Sequence, residues 1–315
     1  MKKKAIIISL SGTRLTKKEK IILSKYKPWG VILFKRNIVT LKQTKLLVLS
    51  IKKTLKENKF PILIDEEGGN VCRLSNFLDN KIYSQRFFGK IFERKKILGL
   101  DLYRNYIYSI CSVLKTIGIN MNTVPVLDIL KDKTHSILKG RCFSNNIDTI
   151  KILGNLCIET YKKNKIGTII KHIPGHGQAT VDSHKKLPII KSSYSSLIKN
   201  DFASFKDKKS HFAMTAHIKY SAIDSNNVAT HSKKIIKNII RKKIGFKGII
   251  ISDDISMKAL KYDLVTNAIK SLDAGCNLVL HCSGNAGETK KLLNELPFID
   301  YFTAKKTSEF YKFLS

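Results

Sequence analysis

The sequence predicts an α/β fold, a single-domain (β/α)8 barrel of the TIM type spanning residues 1–315. Two observations predict it. Eight short apolar runs rich in β-branched residues alternate with longer segments of helical period, as expected of parallel strands covered by helices. Polar residues also follow most of these runs directly, at the end of the barrel where active sites of this fold lie. Eight strands close such a barrel, and a chain of 315 residues commonly forms it as one domain.

The elements follow in order from these runs. The predicted strands are Ala5–Leu10, Gly30–Phe34, Pro61–Ile64, Ile119–Val124, Gly167–Ile170, Phe212–Thr215, Gly248–Ile251 and Asn277–Leu280. Thr16 and Glu19 have the spacing of a capping box, which predicts that a helix begins there. The longest spacer, between the third and fourth strands, predicts an extended loop before its helix, and a final helix is predicted over Phe302–Leu314.

The charge of the chain is its most unusual bulk property. With 58 Lys and Arg against 24 Asp and Glu, the formal net charge is +34, which raises nucleic acid as a partner. The basic residues are mostly lysines in short groups along the whole chain, and no aromatic residues interleave with them as a stacking platform for single strands requires. We therefore expect a solvated lysine-rich surface and no nucleic-acid partner. Functional anion binding stays open as an alternative.

The sequence favours a cytoplasmic protein that does not enter the membrane. Its six cysteines form no C-x-x-C pair and no zinc-like spacing, so reduced thiols are the simplest interpretation. The apolar run Ala5–Leu10 after three lysines is shorter than the ~7–15 residues of a signal-peptide core, and a first buried strand is the better interpretation. No stretch approaches the ~20 apolar residues that span a bilayer. We further expect a monomer.

Polar residues at the strand ends are the main argument for an enzyme. They are Asp65, Glu66, Asp128, Lys171, His172, His217, Asp253, Asp254 and His281. In a barrel these positions converge on one face, while apolar layers fill the interior.

The segment Lys171–His184 is the first of three informative stretches. In an extended loop Asp182 and His184 project to the same side, so the carboxylate can hold one imidazole nitrogen while the other transfers protons. A surface Asp–His pair is the plain alternative. We also expect His176 to be a core histidine bonded to backbone, and Gly175 and Gly177 to act as hinges of this loop.

The second stretch is a buried strand that ends in two adjacent carboxylates. Asp253 suits the nucleophile that retaining glycoside hydrolysis requires, since one carboxylate can point into the mouth of the barrel. The alternative is a helix N-cap, a role that Asp254 or Ser256 can fill equally well.

The third stretch follows the third strand and contains a Gly-Gly turn. Asp65 and Arg73 flank this turn and offer the acceptors and donors that sugar hydroxyls need, although an Asp that caps the next turn is the usual alternative. Arg141 joins them as a candidate, with an ordinary salt bridge as its alternative.

Together these stretches resemble the glycoside hydrolase family 3 β-N-acetylglucosaminidases of the NagZ type. The resemblance covers nearly the whole chain. It rests on the segments Gly30–Phe34 with Arg36 and Asn37, Asp65–Arg73, Arg141, Lys171–His184, Met214–His217 and Ser252–Met257. The chain departs from the family pattern at Ile173, at Asn70 and over Ala229–Ser232, and none of these is a catalytic position.

The resemblance implies a retaining exo-β-N-acetylglucosaminidase with Asp253 as nucleophile and with His184, assisted by Asp182, as acid/base. It further implies that the terminal sugar is bound by Asp65, Arg73, Arg141, Lys171 and His172. The implied substrates are N-acetylglucosaminyl-anhydromuramyl peptides of cell-wall recycling, and no metal or organic cofactor is expected. The rival interpretations are a basic nucleic-acid-binding protein and an inactive sugar-binding relative.

Overall fold

The computed structural model describes residues 2–132, 134–183 and 185–315 and confirms the predicted barrel. Eight parallel strands close the barrel in chain order, and the last of them pairs back to the first. These strands are β1 (Lys4–Ser9), β2 (Pro28–Leu33), β3 (Ile62–Ile64), β4 (Met121–Asn122), β5 (Gly167–Ile173), β7 (Phe212–Thr215), β9 (Ile249–Asp254) and β10 (Leu278–His281). Each contains part of one of the eight predicted runs.

Helices cover the outside of the barrel and fill the spacers between strands. They are α1 (Lys17–Tyr26), α2 (Leu41–Leu55), α3 (Gln85–Arg94), α4 (Lys96–Ile117), α5 (Ser136–Lys139), α6 (Ile147–Lys163), α7 (Tyr194–Lys199), α8 (Leu264–Ala274), α9 (Ala286–Glu295) and α10 (Tyr301–Phe313). The predicted capping box begins α1, where Thr16 and Glu19 each accept a hydrogen bond from the other's backbone N–H. The long spacer after β3 holds two helices, α3 and α4, rather than the one expected.

Two features have no counterpart in the sequence prediction. Strands β6 (Ile189–Ile190) and β8 (Lys219–Tyr220) form a separate two-stranded parallel sheet beside the barrel. The segment Ile235–Lys243 before β9 is π-helical. The two-residue strands are too short to give a hydrophobic period, and the helical pattern of Ile235–Lys243 does not distinguish a π-helix from an α-helix.

The strands alternate between two apolar cores. Side chains such as Ile7 and Leu63 point into the barrel and pack there with residues from the other strands. Their neighbours Ile6, Ile8 and Ile62 point outward and pack against the helices. Because both faces of each strand are buried, the strands appear in the sequence as continuous apolar runs.

The last helix closes the amino-terminal end of the barrel. Phe310 of α10 lies edge-on to Phe212, with ring centroids 5.0 Å apart, and Trp29 lies against Phe212 at 5.5 Å. The indole N–H of Trp29 donates a hydrogen bond of 2.8 Å to the hydroxyl of Thr307 on the same helix. This end is therefore a packed plug, and the opposite end is the open one.

Replacing Phe310 by Ala is expected to reduce the free energy of unfolding by ~3–5 kcal/mol, because Phe310 is fully buried and its removal leaves a cavity in the plug. Urea denaturation measures this change. Tyr301→Ala on the same helix is the matched control, since that side chain is 84% exposed. Equal losses in the two variants would contradict the plug.

The predicted first buried strand is confirmed as β1. Among the described helices, none is both long and apolar enough to cross a membrane. The six cysteines are free thiols, and five of them are buried.

Candidate active site

A cavity of about 250 Å³ opens at the carboxyl ends of the barrel strands. Its polar lining comes from Asp65, Arg73, Thr123, Arg141, Lys171, His172, His176, Asp182, Ser183, Asp253 and Asp254, and its apolar walls include Phe34, Ile137, Leu138 and Met214. The structure thus brings together every residue that the sequence predicted for the site, except His184, which lies outside the described residues.

Asp65 directly follows β3, and both of its carboxylate oxygens accept hydrogen bonds. One carboxylate oxygen accepts hydrogen bonds from Lys171 Nζ at 2.6 Å and from the Thr123 hydroxyl at 2.5 Å. The other accepts from the Arg73 guanidinium at 2.8 Å. The plain alternative for Asp65, a turn cap, therefore does not describe it, because its partners are side chains on different elements.

Glu67 is a buried member of the site that the sequence analysis missed. Its two oxygens bind Arg141 Nε and Nη2, both at 2.8 Å, and one also lies 2.5 Å from Lys171 Nζ. Lys171 therefore bridges two carboxylates, Asp65 and Glu67. Charge balance was the available signal, since the five predicted sugar-binding residues include the three cations Arg73, Arg141 and Lys171 and a single carboxylate, Asp65.

His172 is held in one tautomer by its neighbours. Its Nδ1 lies 2.7 Å from a carboxylate oxygen of Asp128, and its Nε2 lies 3.4 Å from Arg141 Nη2. A guanidinium only donates, so Nε2 accepts and Nδ1 carries the proton that is donated to Asp128. Asp128 was noted in the sequence only as a polar strand-end residue, and its role here is to orient the ring.

The carboxylates of Asp65 and Glu67 remain ionised although they are buried. Burial by itself would raise the pKa of Asp65, but Lys171, Arg73 and Arg141 hold it well below its usual value. Burial likewise opposes ionisation of Glu67, and Arg141 and Lys171 together lower its pKa. The result is a fixed array of donors and acceptors of the kind that positions sugar hydroxyls.

Lys171→Met is expected to lower the free energy of unfolding by ~3–5 kcal/mol, because two buried carboxylates lose a shared cation. Both carboxyls have a lowered pKa, so the wild-type ion pairs stabilise the fold above the ordinary carboxyl pKa and are lost in acid. The deficit of the variant should therefore be larger at neutral pH than in acid below the ordinary carboxyl pKa values of 3.8 and 4.5. Urea denaturation at two pH values measures this difference in the free energy of unfolding, with the exposed Lys290→Met as control. A deficit that does not change with pH would contradict the prediction.

Asp253 lies at the end of β9 and lines the cavity. One of its oxygens accepts a hydrogen bond of 2.8 Å from the backbone N–H of Asp254. The turn that follows is capped by Asp254, which accepts from the backbone N–H and hydroxyl of Ser256 and from the N–H of Cys282. The capping role considered for Asp253 thus falls to its neighbour.

The loop segment 174–183 after β5 is tightly packed at its start, and a hinge motion at its glycines stays a prediction. A Cβ on Gly175 would lie 2.7 Å from Asp201 Cβ, and one on Gly177 would lie 1.8 Å from the carbonyl oxygen of Ile129. Both glycines are therefore needed for close packing. Hydrogen bonds from Thr134 Oγ1 to the carbonyl of Gly177 and from His135 N–H to the carbonyl of Ala179 hold the segment further.

His176 fits the expected core histidine in part. Its backbone N–H donates to Asp128 at 2.6 Å, and its ring Nε2 lies 3.3 Å from the Ser183 hydroxyl. Burial and the nearby His172 lower the pKa of its ring to about 4, so the ring is neutral. Unlike an ordinary core residue, however, it lines the cavity.

Asp182 reaches the cavity from the end of the same loop. Its carbonyl oxygen accepts hydrogen bonds from the N–H groups of Lys185 and Lys186. The carbonyl of Ser183 accepts from the N–H of Ala259, which ties the loop to the segment that follows Asp253. The pairing of Asp182 with His184 stays a prediction.

Among residues 2–132, 134–183 and 185–315, no group of three His, Cys, Asp or Glu side chains is arranged to hold a metal ion. Charged side chains of the cavity instead form ion pairs with one another, as Asp65 does with Arg73 and Lys171. What the arrangement offers chemically is a carboxylate at a strand end beside a dense set of hydrogen-bonding groups.

Fold and site together define a glycosidase of the (β/α)8 class. The chain belongs to glycoside hydrolase family 3, since the profile of the glycosyl hydrolase family 3 N-terminal domain matches residues 2–298. This confirms the family resemblance and the expectation of an enzyme.

Individual relatives agree with this assignment. A β-hexosaminidase of Nitrosomonas eutropha is 32% identical over 88% of this chain and 80% of its own length. One of Bordetella parapertussis is 29% identical over 88% and 79%. The crystal structure of NagZ from Neisseria gonorrhoeae with N-trifluoroacetyl-D-glucosamine is 27% identical, covers 100% of this chain and 90% of that one, and superposes with a TM-score of 0.88.

Proposed function

We propose that the protein is a retaining exo-β-N-acetylglucosaminidase, one catalytic domain over residues 1–315. The observation that carries the proposal is the shared cavity, in which Asp253 lies beside Asp65, Arg73, Arg141, Lys171 and His172. The names of the relatives give the sugar. A cavity of about 250 Å³ also suits one terminal sugar better than a longer chain.

The reaction runs in two displacements. In the first, a carboxylate oxygen of Asp253 forms a bond to the anomeric carbon while the bond to the leaving oxygen breaks, and His184 gives that oxygen a proton. In the second, water attacks the anomeric carbon, His184 takes the proton from this water, and the bond to Asp253 breaks. Asp182 stabilises the protonated imidazole. Both the sugar configuration and the enzyme are restored.

The bound sugar is positioned by the fixed charges of the cavity. Asp65 accepts from hydroxyl groups, whereas Arg73, Arg141 and Lys171 donate to them, and the buried Glu67 holds Arg141 and Lys171 in place. Because these side chains are already ordered by one another, the site loses little conformational entropy when the sugar binds.

The experiment is release of nitrophenol from nitrophenyl β-N-acetylglucosaminide, measured beside the matching β-glucoside. Turnover of the N-acetyl substrate with little or none of the glucoside supports the proposal. Turnover of neither by the folded protein would point to the sugar-binding alternative, and preference for the glucoside would refute the assigned sugar.

The natural substrate that we propose is an N-acetylglucosaminyl-anhydromuramyl peptide. Two open cavities share Leu130, Lys131, Asp132 and Asn145 in their walls, and Lys139 in one of them directly follows Leu138, which lines the active-site cavity. One contains Gln178 and Thr180 of the loop that carries Asp182, and the other contains Arg86, Lys90 and Lys139. The lysines and Arg86 of this groove outnumber its carboxylate, Asp132, and suit the carboxylates of a peptide attached to the departing sugar.

Replacing Lys90 and Lys139 together by Gln is expected to raise KM for the peptide-bearing substrate about fivefold, a loss of roughly 1 kcal/mol. The nitrophenyl substrate has no peptide, so its kcat/KM should not change. Kinetics with both substrates measure this, and the effect should shrink at high salt. Lys17→Gln with Lys20→Gln is the matched control on α1, and equal effects on the two substrates would refute the groove.

We further propose that the enzyme acts in the cytoplasm as a monomer, in recycling of peptidoglycan fragments. The free thiols of the six cysteines support the location. No nucleic acid and no cofactor takes part in this reaction. The rival nucleic-acid function predicts steep salt-dependent binding of DNA or RNA, which a titration would reveal.

A further inference from the structure

Asp201 is a buried carboxylate that the reaction does not use. It follows α7 and has no exposed surface. One oxygen accepts a hydrogen bond of 2.5 Å from the side-chain amide of Gln178 in the loop segment 174–183. The other oxygen has no hydrogen-bond partner within the described part of the chain. Such a group needs an explanation, because burial of an incompletely paired carboxylate is costly.

Gln178 connects Asp201 to the small sheet beside the barrel. Its amide oxygen accepts a hydrogen bond of 2.5 Å from the hydroxyl of Ser192, which follows β6. The amide therefore has a fixed orientation, with its donor toward Asp201 and its acceptor toward Ser192. Three separate elements meet at this side chain: the loop, the end of β6 and the end of α7.

The same platform holds the loop at a second point. Gly175 packs directly on Asp201, with no room for a Cβ, and its carbonyl accepts a hydrogen bond from the Tyr220 hydroxyl on β8. The loop then continues to Asp182 in the active-site cavity. The two-stranded sheet and Asp201 thus form the surface on which the loop lies.

We propose that Asp201, acting through Gln178, is a positioning residue that fixes the loop bearing Asp182 in its reactive place. The inference rests on the proposed function, in which Asp182 and His184 transfer the proton. A misplacement of about 1 Å in such a group is enough to cost on the order of 10²-fold in rate.

The charge of Asp201 sets the pH behaviour. Burial raises its pKa to about 6, against the effects of the Gln178 hydrogen bond and of Lys131, and Asp128 raises it further. The Tyr220 hydroxyl, whose own pKa is raised well above its usual value by burial, stays neutral and faces the same place. The fold therefore disfavours the ionised form, and this cost appears as pH rises from the unfolded value to about 6 and stays above it.

The test compares Asp201→Asn, Asp201→Ala and Gln178→Ala with wild type, using Asp273→Asn on the exposed face of α8 as control. On the nitrophenyl substrate, which has no peptide, we expect kcat to fall about tenfold to a hundredfold in the two Ala variants, with little change in KM. Asp201→Asn keeps an acceptor for Gln178, so its loss should be smaller and should vanish at about pH 5, where wild-type Asp201 is neutral as well. Its melting temperature near neutral pH should rise, whereas a merely structural residue would lower it.

Amide hydrogen exchange in the peptide covering 174–183 gives a readout that does not need activity. Faster exchange confined to this segment in the Ala variants supports the inference. Unchanged exchange there, unchanged kcat in an active protein, or faster exchange throughout the molecule would overturn it. An inactive wild type would refute the proposed function, and exchange alone would then decide whether Asp201 holds the loop.

Discussion

Asp253→Asn should lower kcat on nitrophenyl β-N-acetylglucosaminide by about 10³-fold or more, because the amide cannot replace the carboxylate as nucleophile. KM should change much less, since sugar binding is assigned to the opposite wall around Asp65 and Arg141. The fold should tolerate the change. Asn has the same shape, and its amide oxygen can still accept the backbone N–H of Asp254 that now binds Asp253.

Steady-state kinetics and denaturation measure both effects in one preparation. Asp254→Asn is the informative neighbour, because Asp254 caps the following turn through Ser256 and Cys282. The Asp254→Asn variant should therefore differ from wild type mainly in a lower free energy of unfolding. If Asp254→Asn abolished turnover while Asp253→Asn kept it, the two roles would have to be exchanged.

Loss of the acid/base is the second large effect. His184→Ala and Asp182→Asn should each lower kcat about 10²–10⁴-fold for substrates with a poor leaving group, since these need a proton on the departing oxygen. A substrate with a dinitrophenyl leaving group does not need that proton for the first displacement. Formation of the glycosyl-enzyme should then stay fast, and only its hydrolysis should be slow.

A double-mutant cycle tests whether the two residues act as a pair. The effects of His184→Ala and Asp182→Asn should be far from additive, because Asp182 acts only through the imidazole. Leaving-group dependence measured in the burst and steady-state phases separates the two displacements. Losses that are fully additive, or that are equal for good and poor leaving groups, would refute the dyad.

The barrel was predictable because its strands are buried on both faces. Residues such as Ile6 and Ile7 point in opposite directions yet are both apolar, which gives the continuous runs that mark parallel strands. The sheet of β6 and β8 was not predictable, since two-residue strands carry no period. The plug made by Phe310 was also hidden, because one aromatic residue on a helix does not reveal what it covers.

The site was predictable where chemistry forces a residue type to a strand end. Asp65, Lys171 and Asp253 are of this kind. The supporting residues Glu67 and Asp201 were missed, because their function depends on partners far away in sequence, such as Arg141 for Glu67. The close packing at the glycines was missed for the same reason, since only the fold shows what lies against Gly177.

The most direct test of the account is to trap the glycosyl-enzyme. The His184→Ala variant is mixed with dinitrophenyl β-N-acetylglucosaminide, quenched in acid and digested, and the peptide masses are measured. The account predicts a mass increase of one N-acetylglucosaminyl residue on the peptide that contains Asp253, and none in the double variant with Asp253→Asn. A rapid turnover with no labelled peptide, or label on another carboxylate, would contradict it.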